Sequence, residues 1–200
     1  MSEKKKLDVK SVTGKQIFDC LPDLARLRIA VFRDWPYLYD GTLEYEEKYL
    51  DRFAKAKGAV VICAYEGAAM VGASTAAPMI EHAHEFGEPF KNAGYDLNKI
   101  FYCGESVLLK THRGYGLGHA FFDGREAQAH QLGGFTHSTF CRVIRPDDHP
   151  LKPADYAPLD PFWKKRGYEP VAGVVATYDW KDLDQSGETS HQMQFWMKTF

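Results

Sequence analysis

The residues best arranged for chemistry lie in one hexapeptide, Arg113-Gly114-Tyr115-Gly116-Leu117-Gly118. It follows the apolar run Val107-Leu108-Leu109 and precedes a helical pattern that opens at His119. Glycine lacks a Cβ and adopts positive φ, so closely spaced glycines let successive backbone N–H groups turn toward one anion. A following helix adds unpaired N–H donors and the positive end of its dipole at the same place. Arg113 adds a cation at the rim, and the whole reads as a diphosphate cradle. A nucleotide P-loop is excluded, because no Gly-Lys-Ser/Thr closes the turn, and Gly14-Lys15-Gln16 is not one. The dinucleotide pattern G-x-G-x-x-G fails too: counted from Gly114 or Gly116, its last glycine falls on His119 or Phe121.

The elements that must hold this turn are read from hydrophobic spacing. Leu7 to Val12 alternates as a strand and ends at Thr13-Gly14. Ile17, Leu21, Leu24, Leu27, Val31 and Phe32 recur at helical intervals up to Trp35-Pro36, where the proline restricts the residue before it. An aromatic loop, Trp35 to Gly41, leads to a helix over Leu43 to Ala56 with Thr42 as its N-cap. Ala59 to Tyr65 and Met70 to Ala77 form a hairpin about Glu66-Gly67, and Pro78 to Asn98, with its Gly, His and Pro, reads as an insertion or loop. Strands follow over Ile100 to Leu109 and Phe135 to Ile144, with the helix His119 to Leu132 between them ending at Gly133-Gly134. After a Pro- and Asp-rich loop, Arg145 to Asp160, a short helix spans Pro161 to Arg166. Strands Val171 to Trp180 and Thr189 to Lys198 complete one mixed α/β domain over residues 1–200.

Composition bounds the function. A hydrophobic share of 44% and a net charge of −2 fit a globular chain without the broad basic surface of a nucleic-acid binder. Cys20, Cys63, Cys103 and Cys141 are widely separated, form no metal spacing and read as reduced thiols. With a charged N-terminus and no run near the ~20 apolar residues of a membrane span, the expectation is a cytoplasmic protein that binds neither membrane nor nucleic acid.

The hexapeptide resembles the signature Q/R-x-x-G-x-G/A of the GNAT (GCN5-related N-acetyltransferase) superfamily, matched at Arg113, Gly116 and Gly118. The order of elements resembles the family over nearly the whole chain. Phe162-Trp163-Lys164-Lys165-Arg166-Gly167-Tyr168 is also similar to the family's aromatic-rich fourth helix, which ends in a Gly-aromatic pair. The resemblance implies a central mixed, mostly antiparallel sheet of about seven strands with flanking helices. It implies acetyl-CoA as cosubstrate, with Val107, Leu108 and Leu109 offering backbone groups to the pantetheine. The N–H groups of His112, Arg113, Gly114, Tyr115, Gly116, Leu117 and Gly118 then hold the pyrophosphate. The strands Ile100–Leu109 and Phe135–Ile144 are expected to splay and admit the pantetheine arm.

The implied reaction is direct attack of a primary amine on the thioester. An alkylammonium, with a pKa of about 10, must first lose a proton. Glu105, acidic in an otherwise apolar strand, is the candidate general base, directly or through water; its structural alternative is an exposed carboxylate or half of a salt bridge. A backbone N–H near Leu108 would meet the oxyanion. Trp163 stands where the family carries a tyrosine that protonates the leaving thiolate, and an indole is no such acid. Tyr156 is the substitute candidate, with a loop anchor as its structural alternative and water as another acid.

Tyr37, Tyr39 and Asp40 are the candidates for binding a cationic acceptor, through aromatic faces and a carboxylate; Arg145 to Pro150 would form the opposite wall. The acceptor is expected to be a small-molecule amine. A protein lysine or N-terminus, or a non-catalytic acyl-CoA sensor, are the alternatives. No metal is expected: Glu81-His82-Ala83-His84-Glu85 has ligand types but no third cluster and reads as a solvated loop. Phe195 and Trp196 on the last strand suggest a homodimer through an exposed edge.

Overall fold

The computed structural model describes residues 6–200. In chain order it contains β1 (Leu7–Thr13), α1 (Ile17–Phe32), α2 (Leu43–Ala54), β2 (Val60–Glu66), β3 (Ala69–Pro78), α3 (Glu88–Asn92), β4 (Ile100–Leu108), α4 (Leu117–Leu132), β5 (His137–Val143), α5 (Asp160–Lys165), β6 (Glu169–Lys181) and β7 (Glu188–Thr199). The seven strands hydrogen-bond in the order β1-β2-β3-β4-β5-β7-β6. The pairs β1–β2, β2–β3, β5–β7 and β6–β7 are antiparallel, and β4–β5 is parallel. This is the mixed, mostly antiparallel sheet with flanking helices expected from the sequence.

The residues fall into two compact units. The first holds the chain up to Val31, Thr42–Ala77 and Cys103–Gly133; the second holds Phe32–Gly41, Pro78–Tyr102 and Gly134–Phe200. Strand β4 contributes to both.

In the first unit, Ile17, Leu24 and Leu27 bury one face of α1, as their spacing requires. Thr42 caps α2: its hydroxyl accepts the Tyr45 N–H at 3.3 Å and satisfies one orphan donor of the first turn. Residues Val60 to Ala64 of β2 are buried throughout, so the strand is covered on both faces. Gly124 lets α4 approach it closely, since a Cβ there would lie 2.7 Å from Ile62 Cδ1.

In the second unit, Met79, Phe86, Phe90, Leu97, Trp180 and Phe195 share one core. The segment after Pro78 is therefore not a loop. It forms a 3-10 turn (Met79–His82), a π-helical turn (Ala83–Gly87), α3 and a second 3-10 turn (Leu97–Lys99). Phe86 and Phe90, four residues apart, bury on one side, and the apolar gain outweighs the breakers around them. The His82 and Glu85 side chains are only 8% and 13% exposed, which corrects the solvated reading for these two, while Glu81 and His84 are exposed. Phe195 and Trp196 are 0% and 2% exposed, so they form core rather than an apolar edge, and the basis for expecting a homodimer through them falls away. Helix α1 stops at Phe32, three residues before a cis Trp35–Pro36 bond.

Candidate functional site

The glycine turn lies in the first unit and is built by the end of β4. The chain leaves β4 through a 3-10 turn, Lys110–His112, in which His112 N–H donates to Leu109 O at 2.9 Å and Arg113 N–H to Lys110 O at 3.2 Å. Gly114 and Gly116 then take φ values of +84° and +83°. Nothing lies within 4 Å of a Cβ at either position, so it is the left-handed backbone, not crowding, that calls for glycine. Gly116 is the N-cap of α4, and the helix starts at Leu117, two residues earlier than expected at His119. Among the described residues, no backbone hydrogen bond engages the N–H groups of Gly114, Tyr115, Gly116, Leu117 or Gly118. Five consecutive donors thus stand at the positive end of a sixteen-residue helix. Those of His112 and Arg113 are already spent.

The side chains of the turn are also placed. Arg113 Nε and Nη2 donate to Leu108 O at 3.4 Å each, which folds the guanidinium back over the end of β4 at an exposed position. His112 is buried between Glu66 and Thr111, each 2.9 Å from a ring nitrogen. Backbone direction sorts the three residues before the turn. Leu109 N–H donates to Val71 O in β3 at 3.1 Å. Alternate residues of a strand turn their backbone groups to the same neighbour. Val107 therefore also faces β3, and only Leu108 directs its N–H and carbonyl the other way.

Glu105 is buried in the first unit rather than exposed. Its Oε2 accepts from Arg28 Nη1 of α1 at 2.8 Å, while its Oε1 is buried without a hydrogen-bond partner. Arg28 Nε also bonds Glu46 Oε2 of α2, and the Glu46 Oε1 is again buried and unpartnered. The Tyr49 ring centre lies 4.4 Å from the Arg28 guanidinium carbon. Burial opposes the charge on Arg28, but Glu105, Tyr49 and Glu46 outweigh it and hold the guanidinium well above the ordinary arginine range. The main chain of Glu105 is held by side chains as well. Its N–H donates to Thr75 Oγ1 at 3.3 Å, and its carbonyl accepts from Arg125 Nη1 of α4 at 3.3 Å.

The acceptor candidates lie in the second unit. Asp40 accepts from Lys181 Nζ at 2.8 Å and Arg33 Nη1 at 3.2 Å, and these two bonds, Lys181 first, hold its carboxyl below the usual range. Its charge is met by protein cations. Tyr37 packs on Phe32 at 4.6 Å and Trp180 at 6.0 Å between ring centroids. The Tyr39 ring covers Gly41, where a Cβ would fall 2.2 Å from Tyr39 Cε1. The loop is pinned by Arg145, which donates to Pro36 O at 2.8 Å, to Tyr37 O at 2.6 Å and to both Asp182 oxygens at 2.6 and 2.8 Å. Trp180 Nε1 joins the same carboxylate at 2.9 Å. His191 stacks on Trp180 at 3.8 Å, and burial pushes its imidazole below the ordinary range although Asp182 pulls the other way.

Tyr156 sits edge-on to Trp35 at 6.0 Å. Burial, with Asp160, raises its phenol above the usual value against Arg142 and Lys152, so it keeps its proton at neutral pH. Trp163 of α5 packs against Phe140 and Trp196 at 5.0 and 5.2 Å. Sequence reasoning passed over Arg28, Glu46, Asp182 and His191. Arg28 and Glu46 do leave a signal, a charge placed on the apolar face of a helix. Among the described residues no group of three metal-ligating side chains occurs, and no helix is long and apolar enough to cross a membrane.

No protein-family profile and no curated protein matches the chain. Solved structures do. A ribosomal-protein-alanine N-acetyltransferase from Brucella melitensis superposes with a TM-score of 0.62 at 13% identity, over 96% of this chain and 99% of that one. The yncA protein of Salmonella typhimurium, solved with its cofactor acetyl-CoA, gives 0.60 at 10% identity, over 96% and 93%. A GNAT-family acetyltransferase from Streptococcus pneumoniae gives 0.56 at 12% identity, over 98% and 100%. With these matches spanning essentially whole chains and the seven-stranded order above, the chain has the fold of the GNAT acetyltransferases.

Proposed function

We propose that this chain is a single-domain N-acetyltransferase that moves the acetyl group of acetyl-CoA to a primary amine, with a small molecule as acceptor, in a ternary complex. The observation that carries this reading is the turn: five backbone N–H groups, Gly114 to Gly118, without backbone partners at the N-terminus of α4. They suit the CoA pyrophosphate, with Arg113 beside them. Leu108 N–H, turned away from β3, suits the pantetheine and then the thioester oxyanion. The presence of acetyl-CoA in the Salmonella protein of the same fold supports the choice of donor.

Glu105 suits the base. Arg28 anchors one carboxylate oxygen and leaves the other buried and unpartnered, so a single oxygen is left to take the proton of an ammonium. The ammonium yields one proton to Glu105, and the freed amine attacks the thioester carbonyl. The C–N bond forms, the C–S bond breaks, and the second proton ends on sulfur. Tyr156, which keeps its proton, is the donor proposed for that last step. Tyr37 and Tyr39 are proposed to contact the acceptor through their faces. Asp40, already met by Lys181 and Arg33, contributes by holding the loop.

A second reading takes a peptide α-amine as acceptor, and the match to a ribosomal-protein-alanine N-acetyltransferase favours it. The test is acetyl-CoA consumption against a panel of polyamines, amino sugars, amino acids and short peptides, with Glu105→Gln alongside. Turnover on a small amine that falls at least about 100-fold in Glu105→Gln supports the reading. Turnover on peptides alone selects the second. Binding of CoA with no turnover on any amine leaves a non-catalytic acyl-CoA sensor and overturns both.

A further inference from the structure

The first unit buries two carboxylates on one guanidinium. Glu105 takes Nη1 of Arg28 and Glu46 takes Nε, and both glutamates leave an oxygen buried without a partner. Neither side chain has meaningful access to water: that of Glu46 is 0% exposed and that of Glu105 is 4% exposed. A buried carboxylate is held ionised by what touches it, so how Arg28 divides itself decides how readily Glu105 takes a proton.

The groups facing Glu105 come from four elements. Arg28 comes from α1, Glu46 and Tyr49 from α2, the Thr75 hydroxyl from β3 and Arg125 from α4. Of the two cations, only Arg28 touches a carboxylate; Arg125 meets the main-chain carbonyl of Glu105. Alone with Glu105, Arg28 would stabilise the carboxylate and make it a poor base. The second carboxylate draws off part of that stabilisation and adds its own negative charge nearby.

We propose that Glu46 is a positioning residue for the reaction: it shares Arg28 with Glu105, so that both carboxylates rest on one guanidinium and Glu105 Oε1 is left to take up the proton an acceptor ammonium releases. This rests on the reading of Glu105 as the base. The balance is simple: the ammonium becomes an amine, Glu105 becomes a carboxylic acid, and Glu46 stays ionised on Arg28. Glu46 also sets the geometry, because its bond to Nε keeps the guanidinium turned with Nη1 toward Glu105.

The test uses the full chain with 13C-labelled glutamate carboxyls, read by infrared difference spectroscopy over a pH range in which circular dichroism shows an intact fold. Glu105→Gln and Glu46→Gln identify the two signals. In Glu46→Gln, which keeps the shape of the side chain, the Glu105 carboxylic-acid band is expected to vanish about 1–2 pH units lower than in wild type. Glu46→Asp, which restores the charge, brings it back toward the wild-type position. An unchanged Glu105 titration in Glu46→Gln overturns the proposal, as does the absence of any protonated signal from Glu105 across that pH range.

If Glu46→Gln does not fold, Arg28→Lys serves instead. It keeps the charge but offers one nitrogen where two are used, and it must move both titrations together; movement of only one overturns the sharing. The base assignment fails separately. It falls if the Glu105 band moves in Glu46→Gln while the acid limb of the pH profile of acetyl transfer stays where it was. The shared guanidinium would then stand without its catalytic use.

Discussion

Gly116→Ala isolates the backbone of the turn. Gly116 sits at φ +83°, a conformation that costs an L-residue about 1–2 kcal/mol. No atom lies within 4 Å of the new Cβ, so sterics add nothing and the cost is conformational. If the chain keeps its path, the protein loses roughly that amount of stability and CoA binds as before. If it relaxes to negative φ, the N–H groups of Leu117 and Gly118 turn away from the phosphate. Two hydrogen bonds to a charged group are worth about 1.5–3 kcal/mol each, so a loss of about 3 kcal/mol, or roughly 100-fold in Kd, is expected. Relaxation is the expected outcome, because Gly116 is the exposed N-cap and nothing packs against it. Gly118→Ala is the control: Gly118 lies inside α4, where alanine is the better helix former by about 1 kcal/mol. Calorimetric titration with CoA, paired with thermal unfolding of each variant, reads both effects. CoA affinity equal to wild type in a Gly116→Ala variant that keeps its stability, and has therefore relaxed to negative φ, would refute a role for these amides.

Two further outcomes concern the second unit. Arg145→Met removes four hydrogen bonds and leaves Asp182, 4% exposed, as a buried unpaired charge; a loss of about 3–5 kcal/mol in urea unfolding is expected. Arg145→Met combined with Asp182→Leu should regain part of it, and a loss below about 1 kcal/mol in the single variant would contradict the pinning role. His191 has a folded-state pKa below its ordinary value near 6.5, so the unfolded chain binds more protons on acidification. Its contribution to stability is complete above pH ~6.5 and is lost as the pH falls toward the lower folded value. The midpoint of thermal unfolding should therefore drop between pH ~7 and ~5, and His191→Gln should flatten that drop. An equal drop in the variant would assign it to other groups.

Much of the frame was legible because its signals are local. Thr42 caps α2 through a hydroxyl three residues from its donor, and the spacing of Ile17, Leu24 and Leu27 follows the helix period. The glycine turn was legible for the same reason, to within two residues at the start of α4. Less of the stretch after Pro78 could be read. A π-helical turn at Ala83–Gly87 has no period of 3.6, and the core partners of Phe86, Tyr102 and Tyr178, are distant in sequence. The site shows the same divide. Glu105 stood out as a charge in an apolar strand, but its burial on Arg28 depends on a contact across 77 residues. Asp40 looked free for an ammonium until the fold brought Lys181 to it from 141 positions away. Local spacing encodes turns and caps; it does not encode which distant charge will meet a given carboxylate.

The most direct measurement is an amide 1H–15N NMR titration of the full chain with CoA. Saturable binding with the largest shifts at Gly114, Tyr115, Gly116, Leu117 and Gly118 is predicted, with Leu108 also moving and the already bonded His112 and Arg113 amides moving less. No saturable binding, or shifts centred away from this turn, would contradict it.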